Sequence, residues 1–237
     1  MGHQTSSLAD QYARLDADIA QAYAHWSAGQ APQAEHLCLR VLAAQPEQPH
    51  ARHLLGLIAH AYGHADLALA HLRVACRAPA APAAYCSNLA EICRQQGLLD
   101  EAEVAARRAL AIDPALAEAW NNLGIVLQEK GQLTDSLECL LRVAALLPDS
   151  PQAHNNLGNT CKRLGDTQQA LAHYRRALAL DPDLKGWDGL GFVVQAYGKR
   201  CPFVLDWIVD LARRAGRRMM VRLVKGAYWD TEIKRAQ

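Results

Sequence analysis

Ala119-Trp120-Asn121-Asn122-Leu123-Gly124 returns 34 residues later as Ala153-His154-Asn155-Asn156-Leu157-Gly158. Ala109-Leu110-Ala111-Ile112-Asp113-Pro114 returns after two such periods as Ala177-Leu178-Ala179-Leu180-Asp181-Pro182. Stepping by 34 in both directions divides the chain into units 15–48, 49–82, 83–116, 117–150 and 151–184, with 1–14 extending the first helix of the first unit. The eighth residue of each unit is small (Ala22, Gly56, Ala90, Gly124, Gly158), and so is the twentieth (Ala34, Ala68, Ala102, Ser136, Ala170). The fifteenth is always glycine: Gly29, Gly63, Gly97, Gly131 and Gly165.

Packing explains this spacing. Small residues at the eighth and twentieth positions let two helices of one unit approach closely, and a glycine between them ends the first helix where a left-handed backbone is cheapest. Proline near the thirty-second position (Pro46, Pro114, Pro148, Pro182) stops the second helix before the next unit begins. The second unit departs from this, with Pro79 and Pro82 in place of one proline. The period and signature resemble the tetratricopeptide repeat. The resemblance implies a mainly α fold, an α-solenoid of five helix pairs whose first helices line a concave groove.

That groove is expected to take a protein or peptide ligand. Asn88, Asn122 and Asn156 hold the sixth position of three consecutive units. Such a ladder offers donors and acceptors to the backbone of an extended peptide, whatever its side chains. Asparagine ladders of this kind line the groove of the tetratricopeptide superhelices that glycosylate proteins. The alternative is that asparagine at this position simply meets solvent. Ala20 and Leu54 stand there in the first two units, so the ladder is confined to the last three.

Charge separates the repeats from the rest of the chain. The 237 residues carry a net charge of +1, which excludes a generally basic nucleic-acid binder. Residues 1–184 hold 14 Lys+Arg and 19 Asp+Glu, a net of −5; residues 185–237 hold 11 and 5, a net of +6. Seven cysteines (Cys38, Cys76, Cys86, Cys93, Cys139, Cys161, Cys201) form no CxxC pair and mostly sit in Ala/Leu-rich helical text. They are expected to be free, buried thiols of a reducing, cytoplasmic compartment. No apolar run reaches membrane-spanning length and the first residues lack a signal-peptide core, so no membrane partner is expected. His50/His53 and His60/His64 have spacings that place two imidazoles on one helix face, but no further ligand completes a metal set, and surface histidines are the better account.

After Leu184 the pattern breaks. Gly186-Trp187-Asp188-Gly189-Leu190-Gly191 leads into the strand-like Phe192–Tyr197, residues 203–214 have helical period, and Arg218–Val224 is a second strand-like run. Strand, helix, strand, helix is the order of parallel β/α units. The glycines precede the strand and do not form a dinucleotide-binding fingerprint. The basic group Arg213, Arg214, Arg217 and Arg218 has no aromatic platform beside it, so nucleic acid is not expected.

Residues 186–237, above all Val221-Arg222-Leu223-Val224-Lys225-Gly226-Ala227-Tyr228-Trp229-Asp230, resemble part of the proline dehydrogenase barrel of the bifunctional proline utilization A family. In that family FAD and proline sit at the C-terminal ends of barrel strands. By resemblance, Val193, Gln195, Arg222, Val224, Lys225, Gly226, Ala227 and Trp229 would contact FAD. Arg222 would lie near the reactive flavin nitrogen, and Tyr228 would line the proline pocket. Two strands do not make an eight-stranded barrel, and the aldehyde dehydrogenase domain is missing. The expectation is therefore a peptide-binding scaffold carrying an inactive, incomplete β/α fragment of residues 185–237, with no cofactor of its own and an uncovered apolar face prone to self-association. The alternative is a proline-catabolising enzyme.

Overall fold

The structure, a computed structural model, describes residues 8–181. Among them ten helices follow one another: α1 (Leu8–Ser27), α2 (Ala31–Ala44), α3 (Pro49–Ala61), α4 (Ala65–Arg77), α5 (Ala83–Gln95), α6 (Leu99–Ile112), α7 (Ala117–Glu129), α8 (Leu133–Leu146), α9 (Pro151–Leu164) and α10 (Thr167–Leu180). No strand occurs among the described residues. The β/α fragment expected over 185–237 lies outside them. The chain divides into two compact units at Gly131, the first holding α1–α7 and the second α8–α10.

The helix boundaries follow from the repeat. Gly29, Gly63, Gly97, Gly131 and Gly165 all adopt positive φ, between 73° and 83°. Nothing lies within 4 Å of where a Cβ would stand at any of the five, so backbone handedness alone demands glycine there. Proline opens α3 and α9, where the missing N–H has no helical partner to lose. Side chains of Gln48, Ser150 and Asp166 accept from the backbone N–H three residues on and cap α3, α9 and α10.

Every residue at the twentieth position (Ala34, Ala68, Ala102, Ser136, Ala170) is fully buried. The eighth position shows why it must be small. A Cβ on Gly56 would stand 2.6 Å from Leu72 Cγ, and one on Gly158 would stand 2.5 Å from Tyr174 Cε1. Tyr174 is itself fully buried and donates to Asn159 Oδ1 at 2.8 Å, so the ring has no easy retreat. Gly158→Ala gains about 0.8 kcal/mol of helix propensity but forces overpacking that costs about 2–3 kcal/mol. A net loss of about 1–2 kcal/mol is expected in urea denaturation, and an unchanged midpoint would count against this tight contact.

The cysteine expectation needs correction. Cys76, near the end of α4, and Cys86, near the start of α5, form a disulfide. The irregular second unit brings them together: Ala78 to Pro82 link the helices, and Ala75, Ala81 and Tyr85 pack on one another at this junction. Cys38, Cys93 and Cys161 are free thiols, and they and Cys139 are buried. Cys201 lies outside the described residues.

Candidate functional site

In the unit formed by α1–α7, the first helix of one pair meets the first helix of the next, α1 with α3 and α5 with α7. These helices make one face, and its side chains form a polar row. The row starts at a buried histidine. His53 on α3 is 5% exposed and lies between Tyr23 of α1 and Tyr85 of α5. Its ring stacks on Tyr85 at 3.8 Å between centroids and 11° between planes.

One direction of hydrogen bonding satisfies this cluster. Asn88 Nδ2 donates to His53 Nε2 at 2.9 Å, which places the ring proton on Nδ1. That nitrogen donates to the Tyr23 hydroxyl oxygen at 2.9 Å, Tyr23 donates to Tyr85 at 3.3 Å, and Tyr85 donates to His50 Nδ1. Burial, with His50 nearby, pushes the His53 imidazole down to about 4. Burial also raises both tyrosines. His53, Tyr23 and Tyr85 are therefore neutral around neutral pH, with both ring nitrogens of His53 and both hydroxyls paired. Surface placement, the account expected for His50 and His53, does not hold: His53 is interior and His50 is half-buried.

Two of the three sixth-position asparagines bond back to the preceding helix pair. Asn88 reaches His53, and Asn122 Nδ2 donates to Ser87 O and Oγ at 3.0 and 3.1 Å. Both bonds run 35 residues back, from the sixth position of one unit to the fifth position of the unit before. The donors therefore tie neighbouring pairs together, while each Oδ1 has no partner among the described residues. Asn156, in α9 of the second unit, is half-buried, and its backbone carbonyl accepts from Thr160 Oγ1 at 3.2 Å. Further along the first-helix face, Arg94 forks onto Glu91 and also donates to Glu129 of the next pair at 2.7 Å. Burial pushes Glu91 up, but Arg94 and Gln95 hold it below its ordinary value.

Sequence reading missed Tyr23, His53, Tyr85 and the Glu91–Arg94–Glu129 group. The available signal was register: His53 and Ser87 stand at the fifth position, one rung from the asparagines that reach them. Neither thiol of this unit resembles a catalytic nucleophile. Burial and Glu35 push Cys38 up to about 11, and burial and Glu101 push Cys93 up to about 12, leaving inert thiols. Among the described residues no group of three or more side chains could hold a metal, and no described helix is long and apolar enough to cross a membrane.

Three tetratricopeptide repeat models match the chain, at residues 19–85, 90–131 and 115–183. The first three quarters of this chain is a tetratricopeptide repeat array. Solved structures carry the same fold. MamA is 20% identical with a TM-score of 0.61, over 68% of this chain and 94% of MamA. MamA from Desulfovibrio magneticus RS-1 is 16% identical with a TM-score of 0.63, over 73% and 97%. YrrB, described as a TPR protein with an unusual peptide-binding site, is 20% identical with a TM-score of 0.61, over 70% and 86%. At these identities the likeness establishes the tetratricopeptide fold alone.

The end of the chain is similar to something else. A proline dehydrogenase model matches residues 165–237, overlapping the last repeat. Over 55 residues the chain is 86% identical to the bifunctional protein PutA of Rhizobium meliloti and 71% identical to that of Klebsiella aerogenes. That stretch is 23% of this chain, which spans 4% of the length of these relatives. Val193, Gln195, Arg222, Val224, Lys225, Gly226, Ala227, Tyr228 and Trp229 all lie outside the described residues.

Proposed function

We propose that this chain is a tetratricopeptide scaffold whose first helices take an extended peptide by its backbone. The observation that carries this is the state of Asn88 and Asn122. Each amide is held in place by its donor to the preceding pair, and each keeps an Oδ1 with no partner among the described residues. Prearranged acceptors at repeat spacing suit the N–H groups of an extended chain, because their orientation is set before the ligand arrives. The acceptors are those of Asn88 and Asn122, and Asn156 is the third asparagine of the series in sequence. The peptide-binding site named for YrrB supports the reading by analogy of fold.

The test uses the full chain and an immobilised pool of random dodecapeptides. Retained peptides are resynthesised with N-methyl groups on alternate backbone nitrogens. At least a tenfold loss of retention is expected, and so is a loss in the Asn88→Ala, Asn122→Ala, Asn156→Ala protein. Retention unchanged by both would remove the ladder.

A second reading rests on the identity of the tail to PutA. It makes the chain a piece of a proline-oxidising enzyme, with FAD held by the tail residues, whereas self-association through that fragment belongs to the scaffold reading. On the scaffold reading, purified protein shows no flavin absorbance and no proline-dependent dye reduction. Either signal would favour the enzyme.

A further inference from the structure

The hydrogen bonds between His50 and Asn88 form a chain that works in either sense. The Tyr85 hydroxyl lies against His50 Nδ1 and 3.3 Å from the Tyr23 hydroxyl. Tyr23 in turn is 2.9 Å from His53 Nδ1, and His53 Nε2 is 2.9 Å from the Asn88 amide. A hydroxyl gives and takes at once, an imidazole changes role with the nitrogen that carries its proton, and an amide changes role by turning over. While neutral His50 accepts at Nδ1, the donors run from Asn88 through His53, Tyr23 and Tyr85 to His50, and Asn88 keeps Oδ1 away from the ring.

A protonated His50 has N–H on both nitrogens and can only donate. Tyr85 then accepts from it and donates to Tyr23, and Tyr23 donates to His53 Nδ1. His53 carries its single proton on Nε2, and that N–H finds an acceptor only if the Asn88 amide turns to offer Oδ1. The two states differ by the one proton gained at His50. His53 and both tyrosines stay neutral in each, as burial, which pushes His53 down to about 4, favours. The titratable groups facing His50 are Tyr23 from α1, His53 from its own helix and Tyr85 from α5. The helices α2 and α4 also pack on α3 but bring no titratable group to His50 among the described residues. The next asparagine has no such freedom, because Asn122 Nδ2 donates to the Ser87 carbonyl, which can only accept.

We infer that His50, Tyr85, Tyr23 and His53 are a reversible hydrogen-bond wire, through which protonation of half-buried His50 turns the Asn88 amide over. The effect on a ligand rests on the peptide reading above: Asn88 would offer an extended backbone an acceptor while His50 is neutral and a donor once it is charged. Asn122 would stay an acceptor throughout.

The test reads the wire without any peptide. Histidine-selective 15N labelling of the full chain, with long-range proton–nitrogen correlation, reports which ring nitrogen of His53 carries the proton. His50→Glu, whose carboxylate only accepts, is expected to keep that proton on Nδ1. His50→Lys, whose ammonium only donates, is expected to move it to Nε2. In the unsubstituted protein the move is expected on lowering the pH from about 8 to about 5.5, the range over which an imidazole changes charge. The same His53 tautomer in both variants, or no change on acidification, would overturn the wire. If circular dichroism shows that a variant does not fold, the titration of the unsubstituted protein decides. Peptide retention by His50→Lys is expected to fall to that of Asn88→Ala. A moved proton with unaltered retention would overturn the peptide reading of Asn88 and leave the wire standing.

Discussion

Acidification from pH 6.5 towards 4.5 is expected to weaken this protein well before its carboxylates protonate. His53 is neutral in the fold and titrates at about 4, against an ordinary value of 6.5. Between those values the unfolded chain takes up a proton that the folded chain refuses. Stability is therefore complete above about pH 6.5 and declines as pH falls, levelling off below about 4. The shift corresponds to about 3 kcal/mol in total. The groups facing His53 are Tyr23 from α1, His50 from α3, and Tyr85 and Asn88 from α5. None of them supplies a carboxylate to welcome the imidazolium. His71 and His173 are also lowered by burial and add the same sign of slope. Urea titrations at half-unit pH steps would measure the decline, and His53→Gln is expected to remove most of it. A flat profile down to pH 5 would contradict the buried, neutral imidazole.

Reduction of Cys76–Cys86 is the second large effect expected. The bridge closes a short segment, ten residues apart in sequence, across the junction between α4 and α5. Cross-linking a loop of this length stabilises by about 2–3 kcal/mol, chiefly by restricting the unfolded chain. Pro79 and Pro82 replace the regular single proline at this junction. Dithiothreitol is expected to lower the urea midpoint of the native protein and leave the Cys76→Ala, Cys86→Ala protein unchanged. Equal sensitivity in both would trace the effect to some other source.

The repeat array was open to sequence reading because its rules are local and recur. Glycine at every fifteenth position, small residues at the eighth and twentieth, and a 34-residue period together specify ten helices. Gly158 against Tyr174 shows the logic in one contact. The contents of the first-helix face were harder to read. His53 meets Tyr23 from 30 residues before and Asn88 from 35 after, distances at which no helical period signals contact. A histidine three residues from another therefore looked like an exposed pair. The disulfide was hidden for the same reason. Ten residues separate Cys76 from Cys86, and only the turn between two helices brings them together. The asparagines were legible as a series, but their ties to the preceding repeat were not, because the partner changes from a histidine to a serine between rungs.

The five turn glycines carry one more implication. All have positive φ, and none has a neighbour where a side chain would begin. Such sites reject ordinary residues by handedness and not by crowding. They are the points in the fold where a mirror-image amino acid would be at ease. Chemical synthesis with D-alanine at Gly97 or Gly165 would stiffen the unfolded chain in a backbone conformation that suits the substituted residue. The repeat, whose chiral residues are all of one hand, keeps a place in every unit for the other.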